Sequence, residues 1–508
     1  MAVDDIVAYT RRWLEFGYNA WLAERIPLRR ELPDVRDRRC LNISYEHVMQ
    51  GEPGVSLIVI FRNEQLAMLL RTLHSLRDRT DPEFVGELLV INDNSDMGIW
   101  TEELSRHAFD AYVWQHIRSS AKIFHMEEQM GLVRARRFAA SMSEFEILVF
   151  LDAHVEVNEG WLEPLLEVII TDPYSVACPQ LDLLDEQTLN YVRTVERRSL
   201  FDWTLRRREV PLLWHQLKEL PHPFATPVLH TPVFAIDAEW FNYIAHFDME
   251  LNSPAAFELE LSFKIWRSNN RILQVPCSRV GHLQPSDLNY MQRYGNLNQF
   301  AEQHFSSCKR LVETWLNVPK YKSVVYQYQP QIQQAHIGNV SEVNGTFEKV
   351  HFESFDWYLE HVATDLLHHF PLQPLIDFAN GTLRPIQLPS HCLTGYLTTR
   401  LITLEACEPL LHATQNWTLT YMNDLRLGDN YCVEVQPNQV LALNPCHTLG
   451  GRQKWHFDIH DNCLVSNTHC LEFGAQMQLM VRTCNSINSQ QMWFFEHINS
   501  LSQGPLQI

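Results

Sequence analysis

Asp152 and His154 lie two residues apart in the stretch EILVFLDAHVEVNEGWLEPLL. They offer a carboxylate oxygen and an imidazole nitrogen. Five apolar residues, Ile147 to Leu151, run straight into the aspartate, so the pair belongs at the carboxyl end of a buried strand. Side chains alternate along a strand, and positions i and i+2 leave the same face. One oxygen and one nitrogen on one face suit Mn²⁺ or a similar borderline-hard ion that keeps open positions. Such an ion would neutralise a diphosphate. A third ligand must come from elsewhere in the chain. His282, in VPCSRVGHLQ, is one of 24 histidines, and spacing alone does not select it. Taken alone, two such residues fit a solvated strand end better.

The elements around this pair alternate. VSLIVIF, residues 55–61, has the length and branching of a buried strand, and EQLAMLLRTLHSLRD repeats apolar residues at three and four, as a helix does. GELLVINDNSD is a second strand with a polar end, MGLVRARRFAASM a helix, and EILVFLDAHVEV a third strand. Strands alternating with helices predict an α/β domain built on a mostly parallel sheet. Ligands of such sheets sit beyond the carboxyl ends of the strands, where Asp93, Asp96 and Asp152 fall. Around Gln331 to Asn344 the pattern dissolves into QIQQAHIGNVSEVNG, which reads as a linker. From about residue 376 short β-like runs take over, and Q-x-W occurs at Gln415–Trp417, Gln453–Trp455 and Gln491–Trp493, 38 residues apart both times. A cysteine pair precedes each motif: Cys392 and Cys407, Cys432 and Cys446, Cys470 and Cys484. Three copies in phase predict a threefold β-structure closed on itself.

Bulk composition narrows the function classes. With 508 residues, 45% of them hydrophobic and 20% charged, the chain is long enough for two or three globular domains. A formal net charge of −20 argues against a nucleic-acid partner. The 11 cysteines, seven of them between Cys392 and Cys484, and the N-x-S/T sequons at Asn42, Asn339, Asn344, Asn380 and Asn416 favour an oxidising compartment. No apolar run reaches the ~18 residues of a membrane span. The opening MAVDDIVAYTRRW lacks the apolar core of a signal peptide. An anchor outside this sequence, or another export signal, is expected.

Taken together, LPDVR with Cys40, VIFRNE with LLRTLHS, GLVRARR, FLDAHVEVNEGWLEPLL, FDW, ELSFKIW, VPCSRVGH, WYLE and the three Q-x-W repeats make the chain resemble the polypeptide N-acetylgalactosaminyltransferases, which begin mucin-type O-glycosylation. The resemblance implies a type-A glycosyltransferase fold followed by a ricin-type β-trefoil lectin domain. The expected boundaries are an N-terminal stem or wrap segment at 1–50, a catalytic domain at 51–325, a linker at 326–375 and the lectin domain at 376–500. It implies UDP-GalNAc as donor, Mn²⁺ as cofactor, Ser/Thr of polypeptides or glycoproteins as acceptor, and the Golgi lumen as location. By the same resemblance Asp152, His154 and His282 are the metal ligands, Asp93 and Gln129 stand at the nucleotide, and Cys40 pairs with Cys277.

The resemblance fails at particular places. Where the family's catalytic stretch reads W-G-G-E-N, this chain has Pro254, Ala255, Ala256, Phe257 and Glu258. Phenylalanine thus takes the position of the acid, and no catalytic residue can be named. A helical step of about 100° would turn the neighbouring Glu258 elsewhere. His230, Thr231 and Pro232 replace A-G-G on the wall expected to touch the donor sugar, and the wall is expected to be refilled with carbon. Gln129 and Pro285 stand for arginines, and Asn92 for an acid. Ser268 and Phe352 replace both halves of a second disulfide. In the lectin repeats Thr394, Glu434 and Glu472 occupy the aspartate position of sugar sites. Glu434 with His447, next to Gly450 and Gly451, is the candidate sugar site, although Arg452 replaces an asparagine. Cys178, Cys308 and Cys463 are left as buried thiols. Three roles follow from these departures. The chain is an enzyme-like member with weak or no transfer, an active transferase with an unusual donor or acceptor, or a non-catalytic binder that regulates active relatives.

Overall fold

Six apolar residues in Val55–Phe61 and five in Ile147–Leu151 cannot be exposed without cost, and in the computed structural model both runs lie in the middle of one sheet. The structure describes residues 3–51, 54–244, 248–284, 297–316, 318–341, 351–372, 377–397, 399–408, 412–428, 431–436, 439–446, 451–466, 468–474 and 477–499. The chain forms two units, Met1–Leu372 and Gln373–Ile508.

The first unit's sheet is built from β1 (Val55–Phe61), β2 (Val85–Asn92), β3 (Lys122–His125), β4 (Ile147–Asp152), β5 (Val155–Val157), β6 (Ser175–Leu184), β7 (Phe224–Ala225), β8 (Val233–Asp237) and β9 (Arg271–Leu283). Their order is β7-β9-β6-β8-β4-β1-β2-β3, with β5 paired to β9, and a tenth short strand, Tyr191–Val192, pairs antiparallel with β6. The β4-β1-β2-β3 half is parallel, as the strand–helix alternation predicts. The other half is mixed: β8 runs antiparallel between β4 and β6, and only β9 and β6 are parallel there. This reversal matters for the site. Val233 pairs with Leu151, so residues 230–232 arrive beside Asp152, whose backbone N–H donates to the Pro232 carbonyl at 2.8 Å.

Three helices border this region. Leu66–Arg79 (α1) buries Met68 to Leu76 against the sheet, and Leu132–Met142 (α2) follows Gly131, whose φ of +81° lets the chain turn from the β3 loop into the helix. Pro254–Arg267 (α3) begins with a strong start signal: Ser253 caps it through Ala256 N, and proline holds the first helical position. Residues 254–258, where the sequence departs from the expected motif, are therefore the first turns of a helix.

The N-terminal segment is fixed by packing, with Tyr18, Ala20 and Ala23 fully buried, and by the Cys40–Cys277 disulfide, which closes a separation of 237 residues. The span expected as a linker, 326–375, differs from that expectation. Its helix Phe355–His361 and the Leu366–His369 turn place Phe355, Tyr358 and Leu366 in the core of the first unit, which runs to Leu372. The polar composition of residues 331–344 hid these later aromatic anchors. Ser268 and Phe352 have taken up local roles, as a hydroxyl closing the end of α3 on Lys264 O and as a ring set edge-on against Trp315.

In the second unit the threefold pattern is physical. Trp417, Trp455 and Trp493 are fully buried, and each indole N–H donates to the carbonyl one residue after a disulfide cysteine: Leu393, Val433 and Leu471, at 2.7, 2.8 and 2.9 Å. Each motif glutamine donates to the side chain two residues after that cysteine: Gln415 to Thr394, Gln453 to Glu434 and Gln491 to Glu472. Disulfides Cys392–Cys407, Cys432–Cys446 and Cys470–Cys484 close the three repeats. Cys178, Cys308 and Cys463 are buried free thiols.

Candidate functional site

Asp152 ends β4, and His154 lies in the two-residue turn before β5. The strand-pleat argument therefore does not describe the pair, because the chain leaves the sheet at Ala153. Convergence comes from the turn and from β9, where His282 pairs with Val155 and Leu283 N donates to His154 O at 3.1 Å. Asp152, His154 and His282 each present a ligand atom within 4.8 Å of the others. The imidazole centroids are 5.1 Å apart.

Two observations test whether this trio fits an ion. Both ring nitrogens of buried His282 lack a hydrogen bond, and the nearest carboxylate oxygen, Asp152 Oδ2, is 3.4 Å from Nε2. Buried polar atoms are rarely left so. His154 Nδ1 meets Glu64 Oε2 at 2.9 Å, which fixes the ring. A carboxylate behind a histidine is the usual support of a ligating imidazole. The residues present fit a divalent cation. Glu64 was not singled out from the sequence, although it ends the VIFRNE motif.

Electrostatics agree with that donor set. Burial alone would raise the Asp152 carboxyl, but His282, His154 and Arg136 hold it below its ordinary value. Burial lowers His282, as do neighbouring His154 and Arg207, against the pull of Asp152, so its ring is neutral at pH 7.

A cavity of about 600 Å³ adjoins the trio. Asp93 lines it, but its carboxylate accepts from Met130 N (2.6 Å) and Gly131 N (2.9 Å) and so serves the entry to α2. Burial raises the Asp93 carboxyl despite those bonds. Asn92 ties His125 and Ser95 together. Asp96 points outward, paired with Arg62 at 2.9 Å. Gln129 lines the cavity as an exposed side chain. Pro285 lies outside the described residues.

The wall formed by residues 230–232 and the start of α3 departs from expectation. Phe257 is fully buried, with the Arg136 guanidinium 5.1 Å above its ring. Glu258 also faces the cavity. One step of helix does rotate a side chain by about 100°. Yet Pro254, Phe257 and Glu258 are positions i, i+3 and i+4, which share one face. The Glu258 carboxylate accepts from Thr231 N (3.1 Å) and Thr231 Oγ1 (3.3 Å), and burial raises it above the ordinary carboxyl range. Arg136 Nη2 donates to Thr231 O at 2.8 Å, and Arg207 Nη2 donates to His230 Nε2 at 2.9 Å. The wall is therefore bonded to itself, and the cavity beside it is open rather than refilled. Arg136 and Arg207 were missed in the sequence because nothing in their spacing sets them apart from other arginines.

In the lectin unit Glu434 accepts from Asn444 Nδ2 and Gln453 Nε2, both at 3.0 Å, so its carboxylate is engaged. Its expected companions His447 and Gly450 lie outside the described residues.

Comparison with known proteins places this geometry. Residues 56–242 match Glycosyl transferase family 2, and residues 379–493 match the Ricin-type beta-trefoil lectin domain. The chain is 46% identical over 448 residues to "Putative inactive polypeptide N-acetylgalactosaminyltransferase 12" of Drosophila melanogaster, covering 88% of this chain and 79% of that protein. It is 34% identical over 464 residues to "Polypeptide N-acetylgalactosaminyltransferase 8" of the same organism, covering 90% and 76%. A crystal structure of GalNAc-T7 with UDP, GalNAc and Mn²⁺ shares the fold at a TM-score of 0.66 and 24% identity, over 99% of this chain and 91% of that one. With a type-A glycosyltransferase sheet, a trefoil and these relatives, the chain belongs to the polypeptide N-acetylgalactosaminyltransferase family.

Proposed function

We infer that this family member binds a divalent cation, Mn²⁺ in the first instance, and a uridine diphosphate donor, but transfers GalNAc to Ser/Thr of polypeptides weakly or not at all. One observation carries the reading: the position of the expected acid holds Phe257, fully buried beneath Arg136. Asp152, His154 and His282 would hold the ion, which when bound neutralises the diphosphate. Glu64 orients His154 for that task. Arg62 and Arg134 also line the cavity, where they are paired with Asp96 and Glu250. Losing one preorganised group at a charged transition state costs roughly 10²–10³ in rate. The wall from 230 to 232 and the start of α3 have both changed, and geometry at such a site must hold within about 0.5 Å.

A second reading has its own support. Glu258 brings a carboxylate to the same wall, which favours an active transferase with a different donor or acceptor. A purely regulatory binder of glycoproteins, with no nucleotide, is the third. Four disulfides and the sequons support a secretory, Golgi-type setting and N-glycosylation of the chain itself. The trefoil reads as a scaffold in which Glu434 takes sugar weakly if at all, since its oxygens already hold Asn444 and Gln453.

The test is a transfer assay with UDP-GalNAc, Mn²⁺ and a mixed Ser/Thr peptide library, run on wild type and Phe257→Glu. The expected outcome is negligible labelling by both, since the acid alone does not restore the wall. Full rescue by the single change would refute the shape argument, and brisk labelling by wild type would establish the second reading.

A further inference from the structure

We propose that Asn92, His125 and Asp110 are positioning residues for the cavity, forming a proton-sensitive latch. The latch holds the loop 93–97 in place while His125 is neutral and loosens it when His125 takes up a proton. Its effect on nucleotide rests on the proposed function, but the latch itself does not.

The bonds run in one line from the edge of the sheet toward the cation corner. Asn92 ends β2, His125 ends β3, and the two are register partners. Asp110 Oδ1, on the helix Glu103–His116, lies 3.0 Å from His125 Nε2. His125 Nδ1 lies 3.0 Å from Asn92 Nδ2, and Asn92 Oδ1 accepts from Ser95 N at 3.0 Å. Ser95 Oγ accepts from Asn63 N at 2.7 Å, and Asn63 Oδ1 accepts from Asp96 N and Met97 N at 2.9 and 3.2 Å. The residue after Asn63 is Glu64, which supports His154. Asn92, Ser95 and Asn63 are all buried, so water poorly replaces a bond lost among them. The same loop carries Asp93, which lines the cavity and seats the N–H groups of Met130 and Gly131.

Donor and acceptor rules fix where the protons sit. A backbone N–H only donates, so Asn92 turns its amide oxygen to Ser95 and its NH₂ to His125. An amide nitrogen only donates as well. His125 Nδ1 must therefore offer a lone pair, and the ring proton is on Nε2, toward Asp110. The latched arrangement thus needs a neutral ring. A proton on Nδ1 would set two donors against each other. The amide then turns over, its oxygen accepts from Nδ1–H, and Ser95 N faces an NH₂ group in place of an acceptor. Asp110 accepts from Nε2–H in both arrangements, and its charge makes the imidazolium tolerable. From β2 the ring thus faces the Asn92 amide, and from the helix the Asp110 carboxylate. Along its own segment Lys122 is engaged by Glu87 and Glu144, and Glu127 is exposed. The latched state binds one proton fewer, so acid favours release. An acid at position 92, as the resemblance expects, would accept from Ser95 N and from an imidazolium at once. Asn92 therefore creates the proton sensitivity.

Selective ¹⁵N labelling of histidine in the full chain reads the ring, with His125→Gln assigning its signal. At about pH 7.5 the ring of His125 should show a bare Nδ1 and a protonated Nε2. On acidification to about pH 5.5 the Ser95 amide, corrected for intrinsic exchange, should lose about tenfold or more in hydrogen-exchange protection. In Asn92→Asp and His125→Gln that protection should change by less than about twofold. Calorimetric titration of UDP in Mn²⁺ at both pH values supplies the second arm. Wild type should lose about fivefold more affinity than either variant, the low end of ordinary coupling between sites. Protonation of the cation ligands is common to all three chains, so the comparison cancels it. If one variant does not fold, the other serves. A proton on Nδ1 at the higher pH, or the same pH dependence of Ser95 protection in wild type and variant, overturns the latch. Equal pH dependence of UDP affinity overturns its positioning role. Failure of UDP to bind at either pH overturns the nucleotide reading, while the ring and exchange measurements still decide the latch.

Discussion

The corner formed by Asp152, His154 and His282 and the wall formed by residues 230–232 with 254–258 lie beside one cavity but have met different fates. At the corner every ligand type is present, the supporting Glu64 included, and His282 has no hydrogen bond that a metal would have to break. At the wall the residues expected from the resemblance are not the ones present, and those present are bonded together, Glu258 to Thr231 and Arg136 to Thr231. A metal corner tolerates little change, because ligand type and number are set by the ion. A sugar wall can be rebuilt whenever its new residues satisfy each other's polar groups. Loss of a motif is therefore not the same as loss of a site.

The largest effect that would sharpen this contrast is at Phe257. If its ring is now a core element, Phe257→Ala should cost about 3–5 kcal/mol in chemical denaturation, the ordinary cost of emptying a buried aromatic site. A cost below ~1 kcal/mol would mean the ring is a surface of the cavity and not part of the fold.

At the corner, Glu64→Gln should weaken Mn²⁺ binding by about 10–100-fold in an electron paramagnetic resonance titration, because the amide supports His154 less well than the carboxylate. His154→Ala should weaken it further still. Unchanged affinity in both variants would remove the corner from the account.

The smallest effect is on the wall's foundation in acid. His304 Nδ1 meets Ser253 Oγ, the cap of α3, at 2.8 Å, and Cys308 Sγ lies 3.6 Å from its Nε2. Burial, and then the charge of Arg206, push its pKa down to about 4. The folded state thus binds this proton less readily than the unfolded chain, where histidine titrates near 6.5. Its neutral form contributes stability above that value, and the contribution is lost as pH falls toward 4. At pH 5 the loss is about 2 kcal/mol. Thermal unfolding followed from pH 7 to 5 should therefore steepen less in His304→Gln than in wild type. Parallel curves would exclude the effect.

Much of this molecule was legible in its sequence. The trefoil was, because a repeat of 38 residues places Trp417, Trp455 and Trp493 in equivalent bonds, and equivalence survives the loss of any sugar ligand. The parallel half of the sheet was, because buried strands and amphipathic helices follow local rules. The antiparallel entry of β8 was not, since strand order depends on pairing partners far away in sequence. For the same reason the convergence of Thr231, Arg136 and Glu258 was invisible: three segments meet there, and although Thr231 and Glu258 drew attention, nothing in the sequence joined them to each other or to Arg136. Its orientation was misjudged because one helical step was weighed without noticing that Pro254, Phe257 and Glu258 share a face. The Ser-Pro start of that helix was readable and would have corrected it.

On the proposed function, this chain holds a nucleotide through its cation corner while its wall no longer drives transfer of GalNAc to a peptide. A single-turnover experiment with stoichiometric radiolabelled UDP-GalNAc, Mn²⁺ and a Ser/Thr peptide measures both at once. The expected result is label retained by the protein, released by chelator or excess UDP, with none on the peptide over an hour. Label appearing on the peptide at about 1 s⁻¹ or faster, an ordinary enzymatic rate, would contradict it.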